Sequence, residues 1–213
     1  MINFKPKTTP FDAHHQRYEA WFEKHEAAYI SELLALRPFV PWQGKGLEIG
    51  VGSGRFAGPL GVQVGVDPSP AMLTHAMERG IEVVQGVAEN LPFADHSFDY
   101  ALIITTICFV NSPVNMLTEA RRVLKPGGRV VIGFIDRESD LGQHYLAHQA
   151  ESVFYRAATF YSADEVEKLL LEAGFSIDNW GQTLARPLPE THQIEPLQAG
   201  RGHCAFVVVA AST

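Results

Sequence analysis

The chain has 213 residues, 46% of them apolar and 19% charged, enough for one globular domain with a sizeable core. A formal net charge of −7 argues against a nucleic-acid duplex or an anionic membrane as partner, because both are met by clustered Lys and Arg. Cys108 and Cys204 lie far apart inside apolar runs and read as free buried thiols, not a disulfide framework or a metal cage. No run of about 18 apolar residues occurs, and the first residues lack an apolar signal core, so a soluble cytoplasmic protein is expected.

Residues 1–10 are polar, carry two prolines and read as a flexible lead-in. From Asp12 to about Arg37, Tyr18, Trp21, Phe22, Tyr29, Ile30, Leu33 and Leu34 recur at three- and four-residue steps. That spacing predicts an amphipathic helix, broken at most once and stopped by Pro38 and Pro41. Its rings are expected to pack on the domain. Residues 1–40 are therefore set apart as a helical extension, with 41–213 as the main domain.

Beyond Pro41 short apolar strands alternate with helical stretches. Strands are expected at 46–50, 62–67, 81–85, 98–106 and 129–135, with helices at 70–79, 113–124 and 141–158. This alternation implies an α/β fold: a doubly wound, mostly parallel sheet covered on both faces. Ser162 with Asp164 and Glu165 caps a further helix that stops at Gly174. Strands at 175–183 and 204–211 follow with no helix between them, which implies an antiparallel pair joined by a long connector.

The first strand runs into Gly50-Val51-Gly52-Ser53-Gly54, glycines at alternate positions, where a backbone can turn with positive φ and approach a ligand closely. Alone, the stretch fits a methyl-donor site, but Gly52-Ser53-Gly54-Arg55-Phe56-Ala57 also fits a dinucleotide fingerprint. Glu48, inside the strand, costs desolvation unless it meets a donor, and it suits an amino-acid-bearing ligand better than phosphates. Asp67 ends the second strand, where a carboxylate can accept both hydroxyls of a ribose, and Ser69 is the better cap for the next helix. The loop Gly86-Val87-Ala88-Glu89-Asn90-Leu91-Pro92-Phe93 could line an adenine pocket.

Four stretches in this order and spacing resemble the seven-stranded S-adenosylmethionine-dependent methyltransferases, in the broad branch acting mostly on small molecules. They are Leu47-Glu48-Ile49-Gly50-Val51-Gly52-Ser53-Gly54; Gly65-Val66-Asp67-Pro68-Ser69; Ala88-Glu89-Asn90-Leu91-Pro92-Phe93 with Ser97-Phe98-Asp99; and Arg122-Val123-Leu124-Lys125-Pro126-Gly127-Gly128. The resemblance implies a Rossmann-like sheet whose last strand lies antiparallel between the fifth and sixth, with S-adenosylmethionine as cofactor. Glu48 and Gly50 would face its methionine part, and Gly52 and Gly54 would let the backbone approach it. Asp67 and Pro68 would sit at the ribose, and Ala88, Glu89 and Asn90 at the adenine. Thr105 and Thr106 would lie beside the transferred methyl. Asp99 and the Lys125–Gly128 turn would serve folding, and the N-terminal helix would cap the acceptor side.

Methyl transfer from a sulfonium is an in-line displacement, so the protein mainly aligns the reactants and excludes water. No catalytic dyad is evident. His144 and Tyr145 are the candidates for a base or an acceptor contact. His144 and His148 share an i, i+4 spacing but lack a third ligand, so no metal site is expected. The expected activity is therefore methyl transfer to a small molecule. An NAD(P)-dependent oxidoreductase and a non-catalytic nucleotide-binding protein on the same fold are the alternatives.

Overall fold

A parallel strand buried on both faces must be apolar at successive positions, with alternate side chains serving opposite layers. The strand at the centre of the fold, β4 below, shows the rule: Tyr100, Leu102 and Ile104 join the core on one face, Ala101 and Ile103 that on the other. The computed structural model describes residues 5–213. The strands are β1 (Gly46–Ile49), β2 (Val64–Asp67), β3 (Glu82–Gln85), β4 (Phe98–Ile104), β5 (Leu124–Ile135), β6 (Ser176–Thr183), β7 (Gln198–Ala199) and β8 (Phe206–Ser212). They form one sheet in the order β3-β2-β1-β4-β5-β8-β6-β7, parallel from β3 to β5 and antiparallel beyond.

The last long strand lies between β5 and β6, as the resemblance implied. The connector before it carries regular structure of its own. It carries a 3-10 turn (Leu188–Glu190) and the short β7, an eighth strand paired with Gly181 and Gln182. Chain order reverses between β1 and β4, which opens a crevice at their carboxyl ends.

Helices α1 (Thr9–Lys24) and α2 (Glu26–Leu36) make up the N-terminal segment, α3 (Ala57–Leu60) and α4 (Pro70–Glu78) follow β1 and β2, and α5 (Pro113–Val123) follows β4. Helix α6 (Asp140–Ala147) follows β5, and α7 (Ala163–Glu172) precedes β6. Side chains of α2, α3 and α4 pack on one face of the sheet, those of α5 and α7 on the other. Ser69, Ser112 and Ser162 accept from backbone amides at the starts of α4, α5 and α7, and Ser162 with Glu165 forms a full capping box.

Three expectations are corrected. The helix begins at Thr9, so only part of the expected lead-in precedes it, and residues 1–4 of that lead-in lie outside the described residues. The expected helix at 141–158 ends at Ala147 and continues as two 3-10 turns, Gln149–Glu151 and Tyr155–Ala157, because the rings of Phe154 and Tyr155 turn into an aromatic cluster. The strand expected at 129–135 begins earlier, at Leu124, with the Lys125-Pro126-Gly127-Gly128 turn inside its run, where the ladder jumps from Phe98 opposite Leu124 to Tyr100 opposite Arg129. Lys125 Nζ pairs with Asp99 there at 2.8 Å, a bracing contact far from the crevice.

The N-terminal segment leaves helical geometry twice, at His14 (φ −129°, ψ 28°) inside α1 and at His25 (φ −118°, ψ 43°), one break more than expected, and it is tied to the crevice edge. Glu19 receives Arg55 at 2.6 Å and Arg79 at 2.7 Å, and the Ser69 hydroxyl donates to Asp12 at 2.5 Å. Ala35 and Leu36 of α2 are fully buried in the core that holds Phe206 and Val208.

Candidate active site at the sheet crevice

The glycine loop takes its shape from positive φ at Gly50 (75°), Gly52 (51°) and Gly54 (79°). A Cβ on Gly50 would lie 2.3 Å from both Cγ2 and Oγ1 of Thr106, so this glycine lets the ends of β1 and β4 touch. A Cβ on Gly54 would meet Ile81 at 2.4 Å and Ala76 at 3.3 Å. Gly54 therefore packs the loop on α4 and does not line the crevice, unlike Gly50 and Gly52.

Asp67 braces this loop. Its Oδ2 accepts from the Gly52 amide and its Oδ1 from the Ser69 amide, both at 2.9 Å, and each oxygen keeps a free lone pair. Burial pushes its pKa up to about 6, against the pull of those amides. Glu48 is 1% exposed and lies behind the loop, outside the crevice lining. Burial, opposed by the Ala57 amide and aided by the Asp67 charge, raises its pKa well above the usual carboxylate range. Its Oε2 and the Ser53 Oγ are buried without a protein partner among the described residues.

Thr105 adopts a left-handed backbone (φ 49°), and its amide donates to Gly133 at 2.7 Å. Thr106 Oγ1 donates to the carbonyls of Ile104 at 3.0 Å and Gly50 at 3.3 Å. Glu89 Oε1 accepts from the Asn111 amide at 2.6 Å, joining the loop after β3 to the loop after β4. Ala88 and Glu89 line the crevice, while Asn90 is exposed and outside it.

The crevice is a cavity of about 500 Å³, within the usual range for a cofactor and a small substrate. Two sets of residues line it. One is the sheet edge: Gly50, Gly52, Asp67, Pro68, Ala88, Glu89, Thr105 and Thr106. The other comes from distant segments: Phe11, Tyr18, Trp21 and Glu32 from the N-terminal helices, Tyr145, His148, Phe154 and Tyr155 from the α6 region, and Leu184 and Leu188 from the connector. Ring centroids of Phe11 and Phe154 are 5.4 Å apart, and those of Tyr145 and Tyr155 are 4.8 Å apart.

Tyr145 thus reaches the cavity, and burial pushes its phenol up to about 12. His144 is exposed and outside the lining, its ring 4.4 Å from that of His148, the residue that does line the cavity. Among the described residues no group of three or more His, Cys, Asp or Glu is arranged to hold a metal. Sequence reasoning missed Glu32, Tyr18 and Trp21 as cavity residues. A signal existed for Glu32: it is an acid on the buried face of α2, between Tyr29 and Leu36.

The residues fit a nucleoside-bearing cofactor. A Cβ on Gly52 would fill space against Met72 at 3.4 Å and Tyr18 at 3.7 Å, space that the bare main chain leaves at the cavity edge, and Asp67 has spare acceptor capacity. Residues 47–132 match the family model of a methyltransferase domain. An uncharacterised protein of Methanocaldococcus jannaschii is 43% identical over 201 residues, covering 94% of this chain and 97% of that protein. The crystal structure of an S-adenosylmethionine-dependent methyltransferase from Thermotoga maritima, named a possible histamine N-methyltransferase, has a TM-score of 0.93 at 46% identity. That match covers 95% of this chain and 97% of the other. Demethylmenaquinone methyltransferase of Staphylococcus aureus is 37% identical over 99 residues, 41% of each chain.

The fold is Rossmann-like, and its crevice opens at the switch point of the sheet. The chain belongs to the class I S-adenosylmethionine-dependent methyltransferase family, and its cofactor is S-adenosylmethionine. The oxidoreductase and non-catalytic alternatives draw no support from these relatives. Among the described residues, no helix is long and apolar enough to cross a membrane.

Proposed function

We propose that the protein transfers a methyl group to a small organic acceptor held against the aromatic wall of the cavity, beside a cofactor held at the sheet edge. One observation carries this reading: the glycine loop and the aromatic wall line a single cavity. The relatives named above leave the acceptor open, since one is named for a nitrogen acceptor and another for demethylmenaquinone. Unpaired buried Cys108 and Cys204 support the cytoplasm as its compartment.

When bound, the cofactor supplies a methyl group already activated by its sulfonium. The chain's own residues bind and align. Asp67 keeps one lone pair on each oxygen for ribose hydroxyls, with Pro68 beside it. Gly50 and Gly52 admit the methionine part, while Glu48 and Gly54 act from behind, shaping the loop. Ala88 and Glu89 border the base, with Asn90 at the rim, and Thr105 and Thr106 stand near the reacting methyl. The N-terminal helices cap the acceptor side and exclude water. Tyr145, which keeps its proton at neutral pH, serves as an acceptor contact or hydrogen-bond donor. His144, turned outside the cavity, receives no role here.

Calorimetry with S-adenosylhomocysteine and with NAD tests the cofactor half of this reading. Binding of the former alone is expected, and binding of NAD alone would sink it. Turnover of a labelled methyl donor with a panel of small acceptors tests the other half.

A further inference from the structure

Most buried acids of this molecule accept from backbone amides, and Glu48, which keeps one oxygen without a protein partner, lies behind the glycine loop and outside the cavity lining. Asp67 and Glu89 hold backbone amides of the crevice loops, Asp136 accepts from the Glu138 amide, and Glu195 accepts from the Ala185 amide. Glu32 differs. It is 4% exposed, it lines the cavity, and burial alone perturbs its carboxyl, with no hydrogen bond or charge among the described residues to offset the cost. An ionised carboxylate taken from water is costly without a partner, so this side chain keeps its proton until one arrives. A cationic ligand in the cavity would relieve that cost.

The surroundings suit a cation. Tyr18, Tyr145 and Tyr155 lie within electrostatic reach of Glu32, which raises their phenols further. Trp21 and Phe154 line the same cavity, and the negative faces of aromatic rings attract ammonium groups. The other charged or titratable groups lining it are Lys7, Arg17, Asp67, Glu89, His148 and Glu151. Asp67 and Glu89 are engaged with loop amides, and Arg17 is exposed.

We propose that Glu32 anchors a protonated amine on the methyl acceptor, so that the acceptor is a small organic amine with an apolar body. This rests on the methyltransferase reading of the same cavity and adds to it a substrate class and a binding residue. Two rival roles exist for the carboxylate: holding the ammonium of the cofactor's methionine part, or having no ligand while an anionic acceptor sits near Lys7 and Arg17.

Calorimetry on the protein saturated with S-adenosylhomocysteine separates these. The probes are phenethylamine, histamine and cyclohexylamine, with neutral 2-phenylethanol and anionic phenylacetate as controls. At least one amine is expected to bind tenfold or more tightly than both controls, and Glu32→Gln should weaken it at least tenfold. S-adenosylhomocysteine affinity should stay within twofold in that variant.

The proposal is overturned if no amine binds, if phenylacetate binds best, or if the variant binds amines like the wild type. A tenfold loss of S-adenosylhomocysteine affinity in Glu32→Gln would move the residue to the cofactor and overturn it too. Should the variant not fold, the wild-type preference for amine over its alcohol isostere decides alone. Failure of the wild type to bind S-adenosylhomocysteine would instead strike the methyltransferase reading, leaving the two failures distinguishable.

Discussion

The two walls of the cavity are built by different means. The sheet-edge wall is mostly backbone: a loop turned by glycines at positive φ, amides held by Asp67 and Glu89, and two threonines at the end of β4. Its residues come from short loops whose positions the parallel strands dictate. The opposite wall is mostly side chain, drawn from α1, α2, the α6 region and the connector, segments far apart in sequence. A backbone wall tolerates almost no change of shape, because a Cβ in the wrong place has nowhere to go. A wall of aromatic side chains can be resized one ring at a time, which fits one cofactor serving many acceptors across a family.

The largest expected effect lies at the rigid wall. Gly50→Ala places a Cβ 2.3 Å from Thr106 at a φ of 75°, and should cost about 3 kcal/mol of stability and abolish cofactor binding. Urea unfolding and S-adenosylhomocysteine calorimetry measure both. If Gly50→Ala were tolerated, the contrast between the walls would disappear.

Asp67→Ala comes next, with a loss on the order of 2–3 kcal/mol in S-adenosylhomocysteine affinity from the missing charged acceptor. Wild-type affinity in that variant would leave Asp67 as a brace between Gly52 and Ser69 and nothing more.

The acceptor wall carries a pH signature of similar size. The Glu32 carboxyl is pushed up to about 8 in the fold, so the folded state keeps a proton that the unfolded chain loses near pH 4.5. Its contribution to stability is thus full below about pH 4.5 and declines as pH rises through about 8. Glu32→Gln should match the wild type at pH 4 and exceed it at pH 8.5, by on the order of 2–4 kcal/mol. Thermal melts of both proteins across that range check the sign. A gap already present at pH 4 would assign the effect to packing.

The smallest effect is reserved for Tyr145→Phe. Cofactor affinity should change by less than about 0.5 kcal/mol, while KM for the acceptor rises a few-fold. Equal changes in both would place Tyr145 between the two walls.

Legibility in the sequence followed the same division. Gly50, Gly52 and Asp67 were readable as crevice residues because local rules place them: a strand end, a positive-φ turn, a capped helix after an acid; Ala88 was suggested by its loop, and Thr105 came only from the family resemblance. Gly54 lies outside the crevice lining, because it packs against Ala76 of α4 and Ile81 just beyond that helix, contacts invisible from the motif. His144 and His148 could not be told apart by spacing, since the side of α6 that meets the cavity depends on where the helix docks. Glu32 was overlooked because an acid in an apolar helix reads as an interruption until its surroundings are known.

By itself the sequence determined the alternation of strands and helices, the capped starts of α4 and α7, and the glycine loop with its acid at the next strand end. These features depend on φ, on hydrogen bonds within a few residues and on apolar periodicity, all local in the chain. Only the tertiary structure decided that the break at His25 folds α1 back over the crevice, that Tyr18, Tyr145 and Tyr155 line the same cavity as one buried carboxylate, and that Glu32 meets that cavity without a partner among the described residues. Those outcomes depend on which surfaces remain to be buried once the sheet has formed, a quantity set by the whole chain and by no single stretch of it.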